Sequence, residues 1–126
     1  MSRRSALGRV RGLGSAKEGT SHWWSQRLTA LALVPLSLWF MISLAALAGA
    51  DHATVVSWIA SPMVAGLLIL LVTATFYHAY LGLQVVIEDY VHGEGMKLAL
   101  LLVSQAASIV LGLAGVLSIL MILFRG

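Results

Sequence analysis

Residues 64–90 read VAGLLILLVTATFYHAYLGLQVVIEDY, and no charged residue precedes Glu88 in this run. A stretch of this length and apolarity can cross a ~30 Å hydrocarbon layer as one helix. His78 lies near its middle, and an ionisable side chain at that depth usually faces a bundle interior where it binds or relays something. Asp89 follows on the same helix face, within ~20° of His78 and ~16 Å further along the axis. The segment therefore predicts a transmembrane helix with a candidate ligand at depth and a carboxylate at its end.

The composition excludes a water-soluble domain. Of the 126 residues, 60% are hydrophobic and 10% are charged, whereas about a quarter of the residues in soluble chains are charged. The sequence contains no cysteine, so disulfides, thiolate metal sites and iron–sulfur clusters ligated by this chain are excluded. Histidine is left as the natural strong ligand for a metal or a haem iron.

Three apolar runs exceed the roughly 20 residues that a spanning helix needs. They cover residues 28–49, 62–87 and 98–124. The chain is therefore predicted to be an all-α integral membrane protein with three transmembrane helices. Residues 1–21 are basic and glycine-rich and are predicted to be a tail, which leaves 22–126 as the membrane domain.

Local signals predict where the helices begin and how they pack. Ser21 or Ser25 is expected to cap the first span, and Asp51 is expected to cap a short helix in the linker. Ser61-Pro62 is typical of a cap followed by proline at the first helical position. Small residues along one face of the third span favour close helix packing; they are Ser104, Ser108, Gly112 and Gly115.

The distribution of basic residues predicts the orientation in the membrane. Seven of the eight basic residues lie before the first span or between the second and third. They are Arg3, Arg4, Arg9, Arg11, Lys17, Arg27 and Lys97. By the positive-inside rule the N-terminus and the 88–97 loop are cytoplasmic, while the C-terminus, with Arg125, is external. Contact with anionic lipid headgroups accounts for the net charge of +3, and nucleic acid is not needed to explain it.

Each candidate site residue has two interpretations. His78 is either an axial ligand to haem or another buried cofactor, or a neutral imidazole hydrogen-bonded to a neighbouring helix. Gly82, one turn away on the same side, leaves room for a flat ring or for a close backbone. Asp89 beside Tyr90 suits hydrogen bonding and proton delivery to a lipid-soluble carbonyl compound, or it is a solvated helix end. Arg27 either reaches lipid phosphate or holds a cofactor carboxylate or a quinone. No chemistry is assigned to the histidines in or near loops, His22, His52 and His92.

The run His78-Ala79-x-x-Gly82, followed by six more residues and then Asp89-Tyr90 at the end of the second of three spans, resembles the smaller hydrophobic anchor subunit of succinate dehydrogenase. The entry to the first span, Gln26-Arg27-Leu28-Thr29-Ala30, is similar to that family's arginine followed by small residues. The resemblance covers about residues 22–124. It implies that His78 is an axial ligand of haem b, with the second ligand from a companion anchor subunit.

The same resemblance implies roles for three more residues. Tyr90 would donate a hydrogen bond to a ubiquinone carbonyl, Asp89 would shape and protonate that site, and Arg27 would lie near the haem propionates and the quinone pocket. A histidine precedes this arginine in some relatives, but His22 is one residue out of step with it.

The function that the resemblance implies is that of a membrane anchor passing electrons from an iron–sulfur subunit to ubiquinone. The expected partners are a second hydrophobic anchor (cytochrome b), the iron–sulfur subunit, the flavoprotein subunit and membrane lipid, and no catalytic residue is expected in this chain. A bacterial inner membrane is preferred to the mitochondrial one. Two other hypotheses remain open, a non-catalytic membrane scaffold and a small ion-conducting or transport subunit that uses Asp89.

Overall fold

The computed structural model describes residues 15–125, with side chains from Thr20 onward. This part of the chain folds into four helices without a strand, and they are α1 (Ser15–Ala46), α2 (His52–Ile59), α3 (Pro62–Tyr90) and α4 (Glu94–Arg125). Three segments are long and apolar enough to cross a membrane, namely Thr20–Ala46, Pro62–Tyr90 and Glu94–Arg125. The predicted all-α class with three spans is confirmed.

Most helix ends lie beyond the apolar runs that predicted them, although α1 ends at Ala46, before the end of its predicted run at residue 49. Helix α1 already includes Ser21 and Ser25, so the expectation that either serine caps it is wrong. The upstream residues include Ala, Lys and Glu, which are good helix formers. Between α3 and α4 only residues 91–93 are non-helical, which is shorter than the predicted 88–97 loop. Hydropathy marks where a chain leaves the hydrocarbon, whereas a helix continues into the headgroup layer until its backbone is interrupted.

The linker between α1 and α3 contains the short helix α2, which has a capped N-terminus. Gly49 has φ +82°, a left-handed conformation that glycine adopts without steric cost. The Asp51 carboxylate accepts hydrogen bonds from the Thr54 backbone N–H at 2.9 Å and from the Thr54 hydroxyl at 2.6 Å. The predicted cap is confirmed. The hydrogen bond from the Thr54 hydroxyl, and after it the one from the backbone N–H, lowers the pKa of Asp51. Ser61 occupies the N-cap position of α3 ahead of Pro62, but its side chain makes no capping hydrogen bond.

Helix α3 is the centre of the fold. It packs against α1 on one side and α4 on the other, and within residues 15–125 those two helices do not contact each other. The small core is built on Ala65, Leu68 and Ile119. Trp39 of α1 and Trp58 of α2 stack beside it, with ring centroids 5.9 Å apart. The core therefore lies near the N-terminal end of α3, and two further residues, Leu81 and Ile87, are buried in the C-terminal half of that helix.

Two of the predicted small residues bring α4 close to α3. A Cβ added at Gly115 would lie 3.0 Å from Val72 Cγ1, and one added at Gly112 would lie 3.7 Å from Phe76. The prediction of close packing is confirmed for these two glycines. Large apolar side chains cover most of the remaining surface. A single layer of three helices cannot enclose them, so lipid or partner helices must cover both of its faces.

Candidate functional site

His78 lies on the side of α3 that faces α1. Its Nδ1 is 2.9 Å from the hydroxyl oxygen of Thr29. The same hydroxyl is 2.8 Å from the carbonyl oxygen of Ser25 and 3.0 Å from that of Gln26, both one turn earlier in α1. The half-buried imidazole is therefore joined to a neighbouring helix through one ring nitrogen, at a point close to the middle of the predicted span.

The second ring nitrogen of His78 is free for another partner. Nε2 makes no hydrogen bond to any residue from Thr20 to Arg125, and it is not among the buried polar atoms that lack a partner. It therefore reaches the surface of this chain at membrane depth, where lipid tails offer no hydrogen bond. The alternative interpretation of His78, a neutral imidazole hydrogen-bonded to a neighbouring helix, explains the contact made by Nδ1. It does not explain why Nε2 has no hydrogen-bond partner.

A polar seam continues from His78 along the α1–α3 contact. Its other members on α1 are His22, Gln26 and Thr29, which are spaced four and three residues apart and so share one helix face. His22 Nε2 and Gln26 Oε1 are buried without a hydrogen-bond partner in the described chain. A Cβ added at Gly82 would lie 3.9 Å from Gln26 Nε2. Because buried polar atoms are nearly always hydrogen-bonded, these two atoms indicate that a group beyond the described residues completes the seam.

Sequence reasoning assigned no chemistry to His22 and no role at this seam to Gln26 or Thr29. Their spacing was the available signal, because polar residues repeating at helical spacing on one face must find partners on a neighbouring helix. The sequence alone did not predict the rotation of α1 about its own axis. That rotation decides which of its polar side chains faces α3.

Arg27 lies on a different face of α1. It is exposed, and its guanidinium carbon lies 5.2 Å from the centroid of the Trp23 ring, within the range of a cation–π contact. Trp23 in turn makes an edge-to-face contact with Trp24 at 5.0 Å. The structure therefore brings Arg27 to an aromatic platform and not to His78.

Asp89 and Tyr90 end α3 side by side and are open to the surroundings. Both are exposed, Tyr90 to 76%. Neither side chain makes a hydrogen bond to any residue that the structure describes, whereas the preceding Glu88 accepts one from Gln84 at 3.4 Å. The pair can therefore donate and accept hydrogen bonds toward something outside this chain.

A groove in the described structure lies elsewhere, along the contact of α3 with α4. Its volume is about 420 Å³, and its lining includes Tyr77, Tyr80, Gln105 and Ser108. None of the predicted site residues lines it. No group of three or more His, Asp or Glu side chains between Thr20 and Arg125 could hold a metal ion.

Comparison with known proteins identifies the relatives of this chain. Residues 1–122 match the family described as succinate dehydrogenase/fumarate reductase transmembrane subunit. The succinate dehydrogenase hydrophobic membrane anchor subunit of Rickettsia bellii is 34% identical over 123 residues, which cover 98% of this chain and 96% of the relative. The protein with the same description from Paracoccus denitrificans is 34% identical over 90 residues, 71% of this chain and 70% of the relative. No solved structure matches the chain.

Proposed function

Because the chain belongs to the family of succinate dehydrogenase/fumarate reductase transmembrane subunits, we propose that it is the membrane anchor of a succinate–ubiquinone oxidoreductase. In this proposal it helps bind haem b and ubiquinone, and electrons pass from an iron–sulfur subunit to the quinone. The observation that carries the proposal is the arrangement of His78, with Nδ1 held by Thr29 and Nε2 free. Histidines that bind metals commonly use one ring nitrogen for the metal and the other for a hydrogen bond.

The residues around His78 suit a haem in three respects. Nε2 is accessible from outside the chain, so a ligand shared with a second subunit can reach it. Gly82, one turn along α3, presents no side chain toward that region. The unpartnered atoms of His22 and Gln26 provide polar contacts along the same seam. Haem bound there would take up and release single electrons, while His78 would hold one axial position.

Arg27 supports this arrangement from the end of the first span. It is a cation at the predicted start of the first span, with its guanidinium carbon 5.2 Å from the centroid of the Trp23 ring. In the proposal it attracts the carboxylates of a haem or orients a quinone headgroup. Because Arg27 does not contact His78 within this chain, the bound group or the second anchor would connect the two.

Tyr90 and Asp89 are proposed to bind the quinone. The Tyr90 hydroxyl would donate a hydrogen bond to one quinone carbonyl oxygen. The adjacent Asp89 carboxyl group would pass protons from the aqueous side to the ring oxygens. Reduction of a quinone to a quinol takes two electrons and two protons, so a proton carrier at a helix end that meets water suits this chemistry.

The remaining parts of the proposal concern partners and orientation. The iron–sulfur and flavoprotein subunits would dock on the cytoplasmic side, where seven of the eight basic residues are predicted to lie, and a second anchor subunit would cover the open side of the His78 region. The membrane would be a bacterial inner membrane. Quinone at the Tyr90 end of α3 would then be close both to the electron donor and to water.

Purification of the complex through a tag on this chain tests the proposal. We expect three partner subunits, succinate-dependent ubiquinone reduction and a b-type haem signal in the reduced-minus-oxidised spectrum. A purified complex with neither haem absorbance nor quinone-dependent activity would contradict the proposal and favour a non-catalytic scaffold. Ion flux in liposomes that contain this chain alone would favour a transport subunit.

A further inference from the structure

We propose that Thr29 is a positioning residue for His78, one that accepts a hydrogen bond from Nδ1–H and so directs the Nε2 lone pair toward the haem iron. This inference rests on the proposed function, because it assigns a task to Thr29 only if His78 is an axial ligand. Its basis is the 2.9 Å contact between the Thr29 hydroxyl and His78 Nδ1. The contact joins the two helices at the proposed ligand.

Counting hydrogens favours one direction for this bond. A threonine hydroxyl has a single hydrogen to donate and can also accept. If it donates to His78 Nδ1, the proton of the neutral imidazole lies on Nε2, and that nitrogen cannot bind iron. If it donates to the Ser25 carbonyl oxygen at 2.8 Å, its oxygen accepts from His78 Nδ1–H. The second arrangement makes two hydrogen bonds where the first makes one, and it leaves the Nε2 lone pair free.

The hydroxyl is also well anchored. Its bond to the preceding turn of α1 is of the kind that threonine commonly makes within helices. The branched Cβ of threonine restricts rotation about χ1, so the acceptor oxygen has a fixed position relative to α1. The plane of the His78 ring is then set by the packing of α1 against α3.

This contact has a consequence for the redox behaviour of a bound haem. A ligand histidine that donates its other N–H to an acceptor becomes a more basic ligand. A more basic ligand stabilises the ferric form relative to the ferrous form. Removing the acceptor is therefore expected to raise the haem midpoint potential. It is also expected to shift the electron paramagnetic resonance signal of the ferric haem, because the imidazole ring of His78 is no longer held in one plane.

The test compares Thr29→Val, which deletes the acceptor at nearly constant volume, with Thr29→Ser, which keeps the hydroxyl. Thr75→Val is the matched control, because the Thr75 hydroxyl makes the same kind of bond to the carbonyl oxygen of Leu71 at 2.6 Å and is not hydrogen-bonded to His78. We expect a higher midpoint potential, an altered resonance signal and about 10- to 100-fold weaker haem retention for Thr29→Val. Thr29→Ser and Thr75→Val should stay close to the unmodified complex.

The possible outcomes separate this inference from the proposed function. If Thr29→Val leaves potential and resonance signal unchanged while His78→Leu loses haem, the role of Thr29 is refuted and ligation by His78 stands. If Thr29→Ser shifts both readouts as much as Thr29→Val, the hydroxyl is not the determinant and the inference is also refuted. If His78→Leu leaves the haem unchanged, the proposed function itself fails. Thr29→Ala, which adds no bulk, provides the same comparison if the valine variant does not assemble.

Discussion

Replacing Tyr90 by phenylalanine removes one hydroxyl group and leaves the ring in place. The structure makes this an unusually clean substitution, because Tyr90 is 76% exposed and its hydroxyl makes no hydrogen bond to the described residues. No hydrogen bond to a described residue is lost. Assembly of the complex is therefore expected to be unchanged, and any defect is expected to arise from what the hydroxyl binds outside the chain.

The size of the defect follows from the proposed bond to the quinone. A hydrogen bond to a neutral acceptor contributes about 0.5–1.5 kcal/mol, which corresponds to a roughly two- to thirteenfold loss in binding or rate. The loss would be larger if the bond strengthens as negative charge develops on the quinone oxygen during reduction. We therefore expect at least a twofold fall in ubiquinone reduction.

The assay is the ratio of succinate–ubiquinone turnover to turnover with a soluble dye that accepts electrons upstream of the membrane subunits. Tyr77→Phe is the matched control, because Tyr77 lines the groove between α3 and α4, away from the helix end. Tyr90→Phe should lower the ratio and Tyr77→Phe should not. An unchanged ratio for Tyr90→Phe, or an equal fall for both variants, would refute the assignment of the quinone site to the end of α3.

Three further predictions concern proton transfer, orientation and packing. Asp89→Asn keeps the side-chain shape but removes a proton carrier, so quinone-linked turnover should fall by a factor that changes with pH; a defect that is the same at every pH would count against proton transfer by this group. Reporter fusions within residues 91–93 should read cytoplasmic and fusions beside Asp51 external, and the opposite pattern would reverse the orientation. Gly115→Leu should lower the thermal stability of the complex, by about 1–3 kcal/mol for an overpacked contact, because even a Cβ there would approach a valine of α3 to 3.0 Å. Gly66→Leu, where a Cβ meets nothing within 4 Å, should be tolerated, and equal losses for the two leucine variants would show that the packing argument is wrong.

Hydropathy predicted the three spans because an apolar segment in lipid must satisfy its backbone hydrogen bonds internally, and a helix does so within a single segment. It did not predict the helix ends. Glu88 to Tyr90 are polar yet remain helical, since the headgroup layer accepts polar side chains on a helix. The Asp51 cap could be predicted because it depends only on residues three positions apart.

The candidate site was predictable in part. His78 stood out because an ionisable residue in an apolar span is rare, and Asp89-Tyr90 because of its spacing from that histidine. The Thr29–His78 hydrogen bond joins residues 49 positions apart. It depends on how two helices are rotated against each other, which the chain's own pattern of polar residues leaves undetermined.

The reduced-minus-oxidised spectrum of the purified complex carrying His78→Leu tests the central claim most directly. His52→Leu is the matched control, because His52 is an exposed histidine at the start of α2 with no proposed role. We expect the b-type haem signal to fall or disappear in the His78 variant, since one of two axial bonds is lost, and to persist in the His52 variant. A His78→Leu complex with an unchanged spectrum and an unchanged haem midpoint potential would contradict ligation by His78.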